Sequence, residues 1–548
     1  MTPLVEQRPP TADASNARAG FPLLVAVLLA AAAGLLLDTA FPDKGWWFTA
    51  FPAIALVLVA LQGRRGGGAL LVGVVFGGTF FWPHIAWASE FLGPLPWSAL
   101  AAVMTLWNGG AAVLIALAYR RLPRVWPGRA GRLLLLPVVV AGIWTAKEAI
   151  ASVWPYGGFS WGRIGFSQSD SPFSPLLAWV GVAGVTFLLV ALVAFAVAVA
   201  EDAIRSPRRA PDLAAAVALA TVALVVVPPW TSLPGTVPAD AATLRVGAVQ
   251  GATKSGYFDP PEKFGDNLIQ QVQVTAELYD EDVDVIVWPE GASDADPLRY
   301  GWASRLWDEV AIRSGAVLVG GTITQRPGPD EDTPLYFNSV LQWDPRDPDR
   351  VVDYYDKKHP VPFGEYVPDR HIWRMFAPDL IDLVQREYTP GTTDAVFDLG
   401  EGAIVGNAIC FDIVDDQLVR EIVLQGGQAI FAETNNADFG RTDESVQQLA
   451  MARVRAIETA RTVVNISTVG TSATILPDGT ILEQLEWYVP GIMLADIPLL
   501  TTVTPAVVAG RGIEWFVSAI GLGALVVAGF ATRSARGTTK GARAQRTP

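Results

Sequence analysis

The sequence contains very few of the residues that build metal centres and disulfides. Its 548 residues include one cysteine, Cys410, and three widely separated histidines, His84, His359 and His371. A single cysteine excludes an internal disulfide and a cysteine-rich zinc site, and scattered histidines argue against a histidine-based metal site. We therefore expect a protein that works without a metal or another cofactor.

Charged residues are also scarce, at 17% of the chain, whereas hydrophobic residues make up 51%. This balance is typical of membrane proteins. The net charge of −14 averages two unlike parts, because basic residues lie in short loops between apolar runs and acidic residues concentrate between about 255 and 420. No basic stripe spans a folded region, which argues against nucleic-acid binding. The sequence also lacks a glycine-rich phosphate loop of either common type.

Apolar runs near the length needed to cross a bilayer, roughly 20 residues, occupy most of the first half. They predict seven membrane helices near 21–41, 45–62, 67–88, 95–118, 133–152, 174–199 and 212–229, and an eighth near 514–531. Basic residues follow the second, fourth, sixth and eighth spans, and the alternate loops carry few. By the positive-inside rule, these basic loops and both termini are cytoplasmic, and everything from about 232 to 512 lies outside.

Span five contains Lys147 and Glu148, and ionisable groups at such positions face a bundle interior, pair with each other or lie near the interface.

From Thr243 the pattern changes to alternating strands and helices, which predicts an α/β domain with helix-covered sheets. Strands fit 244–250, 283–288, 316–320, 338–343, 402–409, 428–432, 461–467, 473–476 and 491–497, and helices fit 262–280, 300–314, 415–424 and 443–460. Pro477-Asp478-Gly479 indicates a hairpin turn. We expect a disordered tail at 1–20, a membrane domain at 21–231, an extracytoplasmic domain at 232–512, a last membrane helix at 513–531 and a basic tail at 532–548.

Three stretches of this second half carry chemically active side chains after apolar strands. The run 285–288 leads through Pro289 to Glu290, at a strand end where α/β folds place their sites. Lys357 opens a segment rich in proline and glycine that indicates an ordered turn, and Cys410 lies between a strand and a helix. Each has an ordinary alternative: a solvated acid, an exposed lysine or a buried apolar thiol.

Together these stretches supply the groups that acyl transfer needs. A carboxylate takes the proton of a thiol, the thiolate attacks a carbonyl carbon, and an ammonium stabilises the oxygen that becomes negative. The order Glu, Lys, Cys along the chain, each after an apolar strand, resembles the nitrilase superfamily.

Longer motifs resemble the apolipoprotein N-acyltransferases, the membrane-bound members of that superfamily. The matching stretches are Trp288-Pro289-Glu290, Tyr355-x-Lys357-x-His359 with Val361-Pro362-Phe363-Gly364-Glu365, Gly406-Asn407-x-x-Cys410, and Gly165-Phe166-Ser167-Gln168. The similarity covers the chain beyond the N-terminal tail. It implies a nitrilase-like αββα sandwich inserted between helices of a polytopic α-helical membrane domain.

The resemblance also implies roles for individual residues. Glu290 would be the general base, Lys357 the oxyanion stabiliser and Cys410 the nucleophile that carries the acyl group. Glu365 would position the lysine or the incoming amine, whereas Lys358 lies outside the motif register. Candidate substrate contacts are Asn435, Phe439, Trp373 and Phe376.

Two stretches depart from the family pattern. Cys410-Phe411-Asp412 stands where the family often has Cys-Tyr-Glu, and the loop 435–440 lacks a tryptophan of the family. Apolar residues after Glu365, including Met375 and Leu383, either form a lid at the membrane surface or pack on the domain.

The implied reaction moves a fatty acyl group from a phospholipid to Cys410, and then to the free α-amino group of the N-terminal S-diacylglyceryl cysteine of an apolipoprotein. The implied location is the cell membrane, with the catalytic domain on the extracytoplasmic side. Three alternatives remain open: an amidase-type or nitrilase-type hydrolase that uses the same triad, a scaffold that partners a polyprenol-phosphate mannosyltransferase, and a transporter. Seven helices exceed what a tethered hydrolase needs, an intact triad argues against a pure scaffold, and the large outer domain argues against a transporter.

Overall fold

The computed structural model describes residues 20–230, 235–257, 261–328, 333–347 and 349–544. The predicted N-terminal tail therefore lies, apart from Gly20, outside the described residues.

Helices fill the first half of the chain. They are α1 (Leu23–Asp38), α2 (Ala50–Leu61), α3 (Gly66–His84), α4 (Ala88–Leu92), α5 (Pro94–Val125), α6 (Leu136–Ala151), α7 (Leu177–Arg205) and α8 (Ala210–Trp230). Each predicted span coincides with one of these helices or with the last helix of the chain, and the five-residue α4 was not predicted. Within the described residues, six helical stretches are long and apolar enough to cross a membrane: Gly66–His84, Pro94–Val125, Gly131–Ala151, Ser174–Arg205, Pro207–Val226 and Arg511–Thr532.

The first two apolar helices, Leu23–Asp38 and Trp47–Leu61, are shorter than the spans predicted for them. The chain turns between them through Gly45, whose φ of +62° suits glycine, and Gly63 at φ +72° follows the second helix. A positive φ does not fit an α-helix, so the second helix begins after Gly45 and ends before Gly63.

Strands and further helices alternate after residue 242. The strands are β1 (Thr243–Gln250), β2 (Val285–Val287), β3 (Val317–Arg326), β4 (Leu335–Trp343), β5 (Val351–Asp356), β6 (Val396–Asp398), β7 (Ile404–Asn407), β8 (Ala429–Thr434), β9 (Thr462–Ser467), β10 (Ala473–Ile475), β11 (Ile481–Gln484) and β12 (Gly491–Pro498). The helices are α9 (Asp266–Thr275), α10 (Gly301–Ser314), α11 (Arg370–Trp373), α12 (Pro378–Ile381), α13 (Asp416–Leu424), α14 (Asp443–Thr459), α15 (Pro505–Ala509) and α16 (Arg511–Ala544). The predicted hairpin turn joins β10 and β11, with Gly479 at φ +87°.

These strands form two mixed sheets of six strands each. One has the order β12-β1-β2-β3-β4-β5 and the other β11-β10-β9-β8-β7-β6. In each sheet the three central strands are parallel, β1-β2-β3 and β7-β8-β9, and antiparallel strands flank them.

The two sheets pack face to face around one apolar core. Buried residues of the first sheet, such as Val246 and Val340, share that core with Val405 and Ile430 of the second. Helices α9 and α10 cover the outer face of the first sheet, where Trp307 lies in a second core. Helices α13 and α14 cover the second sheet. The predicted αββα sandwich is confirmed.

The last helix, α16, returns to the helical half of the protein and packs against α6. It continues to Ala544, past the predicted end at 531. The added residues contain no proline, although they include Gly537 and Gly541, which disfavour a helix.

Candidate active site

Cys410 begins a 3₁₀ turn, Cys410–Val414, three residues beyond the end of β7. Its φ is +51°, a left-handed conformation that few non-glycine residues adopt. The buried Asp412 carboxylate fixes the turn, because its Oδ2 accepts hydrogen bonds from Ile409 N at 3.1 Å and from the Tyr355 hydroxyl at 2.9 Å. The turn therefore presents the sulfur at the end of the second sheet.

Glu290 lies three residues beyond β2, at the corresponding end of the first sheet. Its carboxylate lies close enough to the Cys410 side chain for each group to shift the pKa of the other. Its Oε1 also accepts a hydrogen bond of 2.6 Å from Asn338 Nδ2. A carboxylate and a thiol that are 120 residues apart in sequence thus meet between the two sheets.

Lys357 directly follows β5 and is 1% exposed. Its Nζ lies 2.9 Å from Glu365 Oε2, and its backbone N–H donates to Asn338 O at 2.9 Å. Glu365 is held in turn by Val361 N at 2.6 Å and by Asn338 Nδ2 at 2.9 Å. Asn338 therefore contacts both carboxylates and the lysine backbone.

Burial and charge shift the pKa values of these groups. Burial raises the pKa of Glu290; the Lys357 ammonium opposes that shift and the charge of Glu365 adds to it. Burial alone would lower the pKa of Lys357, but the Glu365 and Glu290 carboxylates outweigh it and raise the pKa. Burial, then the charge of Glu290, raise the pKa of the Cys410 thiol well above its ordinary range, and Lys357 opposes them. The lysine is therefore a cation and the resting sulfur carries its proton.

This arrangement can support nucleophilic acyl chemistry. A protonated thiol beside a carboxylate can release its proton as the sulfur attacks a carbonyl carbon. A carboxyl group with a raised pKa is the stronger base for that step, and the nearby ammonium can stabilise an oxyanion. Among the described residues, no group of three or more His, Cys, Asp or Glu side chains could hold a metal ion.

The other predicted residues lie in different surroundings. Lys358 is directed away to Glu421, with 3.5 Å between Nζ and Oε2. Asn435 is tied to the protein, since its Nδ2 donates to Ser255 O at 2.9 Å. Phe439 packs edge-on against Trp87, with ring centroids 5.2 Å apart.

Trp373 and Phe376 lie in the region of α11 and α12 and are 37% and 76% exposed. Met375 beside them is 71% exposed, so these apolar side chains are not packed in the domain core.

In the ionisable pair of α6, Glu148 is buried and Lys147 is nearly so. Lys147 Nζ lies 3.8 Å from Glu148 Oε1. Glu148 also accepts hydrogen bonds from Trp144 Nε1 at 2.9 Å and Thr186 Oγ1 at 3.0 Å. Of the positions considered for Lys147 and Glu148 in the sequence analysis, the structure shows the two paired with each other inside the helix bundle.

Three polar residues near the sulfur were not predicted from the sequence. Asn338 bridges Glu290 and Glu365, and Gln448 Nε2 lies 3.8 Å from Cys410 Sγ. Glu444, 3% exposed, accepts a hydrogen bond of 2.7 Å from Asn436, and burial raises the pKa of Glu444 to about 8. The available signal was polar side chains at positions where a buried strand and helix α14 would otherwise carry apolar ones.

Two family models match parts of this chain. The family model described as apolipoprotein N-acyltransferase N-terminal domain matches residues 33–196. The carbon-nitrogen hydrolase model matches residues 245–504. The solved structures that resemble this chain include a mutant of the Nesterenkonia AN1 amidase from the nitrilase superfamily. It has 17% identity and a TM-score of 0.37, and the match covers 50% of this chain and 97% of that one.

Full-length relatives match nearly the whole chain. The apolipoprotein N-acyltransferase of Mycolicibacterium smegmatis is 33% identical, over 90% of this chain and 84% of its own. Those of Photobacterium profundum and Vibrio cholerae are each 26% identical and cover 90% and 93% of this chain, and 93% and 97% of their own. With six long apolar helices among the residues that the structure describes, the protein is a membrane protein. The chain belongs to the apolipoprotein N-acyltransferase family.

Proposed function

We propose that the protein transfers a fatty acyl group from a phospholipid to the free α-amino group of the N-terminal S-diacylglyceryl cysteine of apolipoproteins. The observation that carries this proposal is that Cys410, Glu290 and the buried Lys357 lie close enough together to shift one another's pKa values. Family membership over nearly the whole chain supports the choice of substrates.

The reaction has two halves. In the first, Glu290 accepts the thiol proton while Cys410 Sγ attacks the ester carbonyl of the phospholipid, and Lys357 stabilises the oxyanion. The ester C–O bond breaks, Glu290 returns the proton to the departing oxygen, and a lysophospholipid leaves a thioester on Cys410. In the second half the acceptor amine attacks the thioester, the C–S bond breaks and the sulfur regains a proton.

Glu365 acts through Lys357 in this scheme. Its carboxylate holds Nζ at 2.9 Å and is itself anchored by Val361 N and Asn338. We assign substrate contacts to Asn435, Phe439, Trp373 and Phe376; the exposure of the last two supports a role at a lipid surface.

The topology belongs to the same proposal. Residues 21–231 form the membrane domain, 232–512 form the catalytic domain on the extracytoplasmic side of the cell membrane, and 513–531 cross back. The basic loops, and so both termini, are cytoplasmic by the positive-inside rule. This places the thiol on the side where a lipoprotein acceptor would stand. A polyprenol-phosphate mannosyltransferase partner stays a prediction from the sequence.

The test is intact-mass analysis of the purified protein after incubation with phospholipid. We expect an acyl-sized adduct that hydroxylamine removes, and no adduct on Cys410→Ala. Lys357→Ala should slow adduct formation about 10²- to 10³-fold, as the loss of an oxyanion donor does. Lys358→Ala is the matched control and should acylate normally.

A diacylated peptide then separates the transferase from the hydrolase. Acyl transfer to its α-amino group supports the proposal, whereas release of free fatty acid alone supports a hydrolase. Persistent transfer by Cys410→Ala would end the thioester mechanism.

A further inference from the structure

Gln447 of α14 lies at the boundary between the membrane helices and the catalytic domain, where its side-chain amide makes four hydrogen bonds. Its Oε1 accepts hydrogen bonds from Trp161 Nε1 at 2.7 Å and Trp87 Nε1 at 3.2 Å. Its Nε2 donates to Pro42 O at 3.1 Å and His84 O at 3.3 Å. The residue is 2% exposed, so both lone pairs and both hydrogens are used inside the protein.

The four partners belong to three separate connections of the helical half. Pro42 lies in the turn between α1 and α2, His84 ends α3, Trp87 precedes α4, and Trp161 lies in the loop after α6. They are 286 to 405 residues away from Gln447 in sequence. One catalytic-domain side chain therefore holds three loops of the membrane domain together.

The next residue of α14 contacts the nucleophile. Gln448 Oε1 accepts a hydrogen bond of 2.8 Å from Asn436 Nδ2, which fixes the amide with its donor end toward Cys410 Sγ at 3.8 Å. Successive helix residues point about 100° apart. Helix α14 thus presents Gln447 to the membrane helices and Gln448 to the sulfur.

Other contacts cross the same boundary. Arg163 pairs with Asp416 of α13 at 2.7 Å, and Arg453 pairs with Asp170. These ion pairs hold α13 and a later turn of α14. Gln447 differs from them because it adjoins the residue that touches the sulfur.

We propose that Gln447 is a positioning residue that sets where the Cys410 sulfur stands relative to the ester of a phospholipid held in the bilayer. This inference rests on the proposed function. The acyl chains confine a lipid ester to one depth in the membrane, so the protein must bring the sulfur to it, and a displacement of about 1 Å can cost about 10²-fold in rate. A short water-soluble ester approaches freely and escapes that constraint.

The experiment compares two acyl donors on the full-length protein in phospholipid nanodiscs. Acylation by the bilayer phospholipid is followed by intact mass, and acylation by p-nitrophenyl butyrate by the burst of nitrophenolate. In Gln447→Leu we expect phospholipid acylation to fall about 10- to 100-fold, while the burst rate changes by less than about threefold.

Two further sets of variants keep the test sharp. Gln271→Leu is the matched control: Gln271 is a fully buried helical glutamine of the same domain, bonded to Val249 O at 2.8 Å and absent from the boundary. It should change both rates alike. Trp87→Phe and Trp161→Phe each remove one indole N–H and keep an aromatic ring, and each should give a smaller, donor-selective loss even if Gln447→Leu does not fold.

The outcomes separate this inference from the function on which it rests. Equal losses with both donors, or unchanged phospholipid acylation in the folded Gln447 and tryptophan variants, would overturn the positioning role alone. A wild-type protein that takes no acyl group from phospholipid would overturn the proposed function and the positioning role together.

Discussion

Cys410 holds a backbone conformation that costs a non-glycine residue on the order of 1 kcal/mol or more. Glycine would remove that cost, but only a side chain can carry the nucleophile. The Asp412 carboxylate secures the turn through Ile409 N and the Tyr355 hydroxyl, and Gln448 approaches the sulfur from α14. The direction of the sulfur is therefore set by its neighbours before any substrate binds.

Three residues of the site could be predicted from the sequence, and others could not. Glu290 and Cys410 follow apolar strands, and Lys357 stands in a segment rich in proline and glycine. These patterns predicted each of them as a site residue. Asn338 and Gln448 have no motif around them, and their roles depend on which sheet and helix face they meet. Contacts between elements distant in sequence are what a single chain's pattern does not encode.

Glu365→Gln tests how charge tunes the general base. The negative charge of Glu365 raises the pKa of Glu290, so removing it lowers that pKa. Since Glu290 works ionised, the rise of the acylation rate with increasing pH should begin at a lower pH in the variant than in the wild type. The maximal rate should also fall, by about 10- to 100-fold, because Lys357 loses its anchor. The measurement is the adduct-formation rate against pH.

Glu421→Gln is the matched control for this charge change. Glu421 faces Lys358 rather than Lys357, at 3.5 Å. Glu421→Gln should leave unchanged both the maximal acylation rate and the pH at which the rate begins to rise. If the acylation rate of Glu365→Gln rises at the same pH as that of the wild type, the assignment of Glu290 as the titrating base is contradicted.

At the scale of secondary structure, the strands that the sequence missed are the ones with weak patterns. β5 carries Asp353 and two tyrosines, and its first four residues are half-buried or exposed. β6 has only three residues, and β5 and β6 both lie at sheet edges. An edge strand is paired on one side and partly solvated, so it needs no apolar run. The central strands are buried on both faces and were predicted for that reason.

The last helix crosses α6 at a point that only a small residue allows. A Cβ atom placed on Gly521 would lie 2.6 Å from the backbone of Gly142, whereas one on Gly523 would meet no atom within 4 Å. We expect Gly521→Ala to lower the thermal midpoint in detergent, at a cost of about 1–3 kcal/mol for forced separation of the helices.

Gly523→Ala gives the same chemical change two residues away on the same helix. Alanine has a higher helix propensity than glycine and meets no neighbouring atom there. The thermal unfolding midpoint should therefore be unchanged or slightly higher. Equal midpoints for the two variants would mean that α6 and α16 are not held in close contact.

At the scale of the whole molecule, the two halves meet through buried polar contacts rather than through apolar packing alone. Arg163, 3% exposed, bonds Asp416 of the catalytic domain at 2.7 Å, and Arg455 bonds the same carboxylate at 2.6 Å. Breaking one partner of such a cluster would leave a buried charge uncompensated. The halves are therefore expected to move as one body, with the thiol at a fixed height over the membrane helices.

The proposed reaction requires the catalytic domain to lie on the extracytoplasmic side of the membrane. Because the chain has a single native cysteine, introduced cysteines can test this orientation. In a Cys410→Ala background, Asp478→Cys marks the exposed β10–β11 turn, and Gly128→Cys marks the exposed, arginine-rich loop between α5 and α6. By the positive-inside rule, a membrane-impermeant maleimide should label the first in intact spheroplasts and the second only after permeabilisation. The background protein should stay unlabelled in both conditions. Labelling of the Gly128→Cys variant in intact spheroplasts would place the arginine-rich loop outside, and the thiol would then face the cytosol.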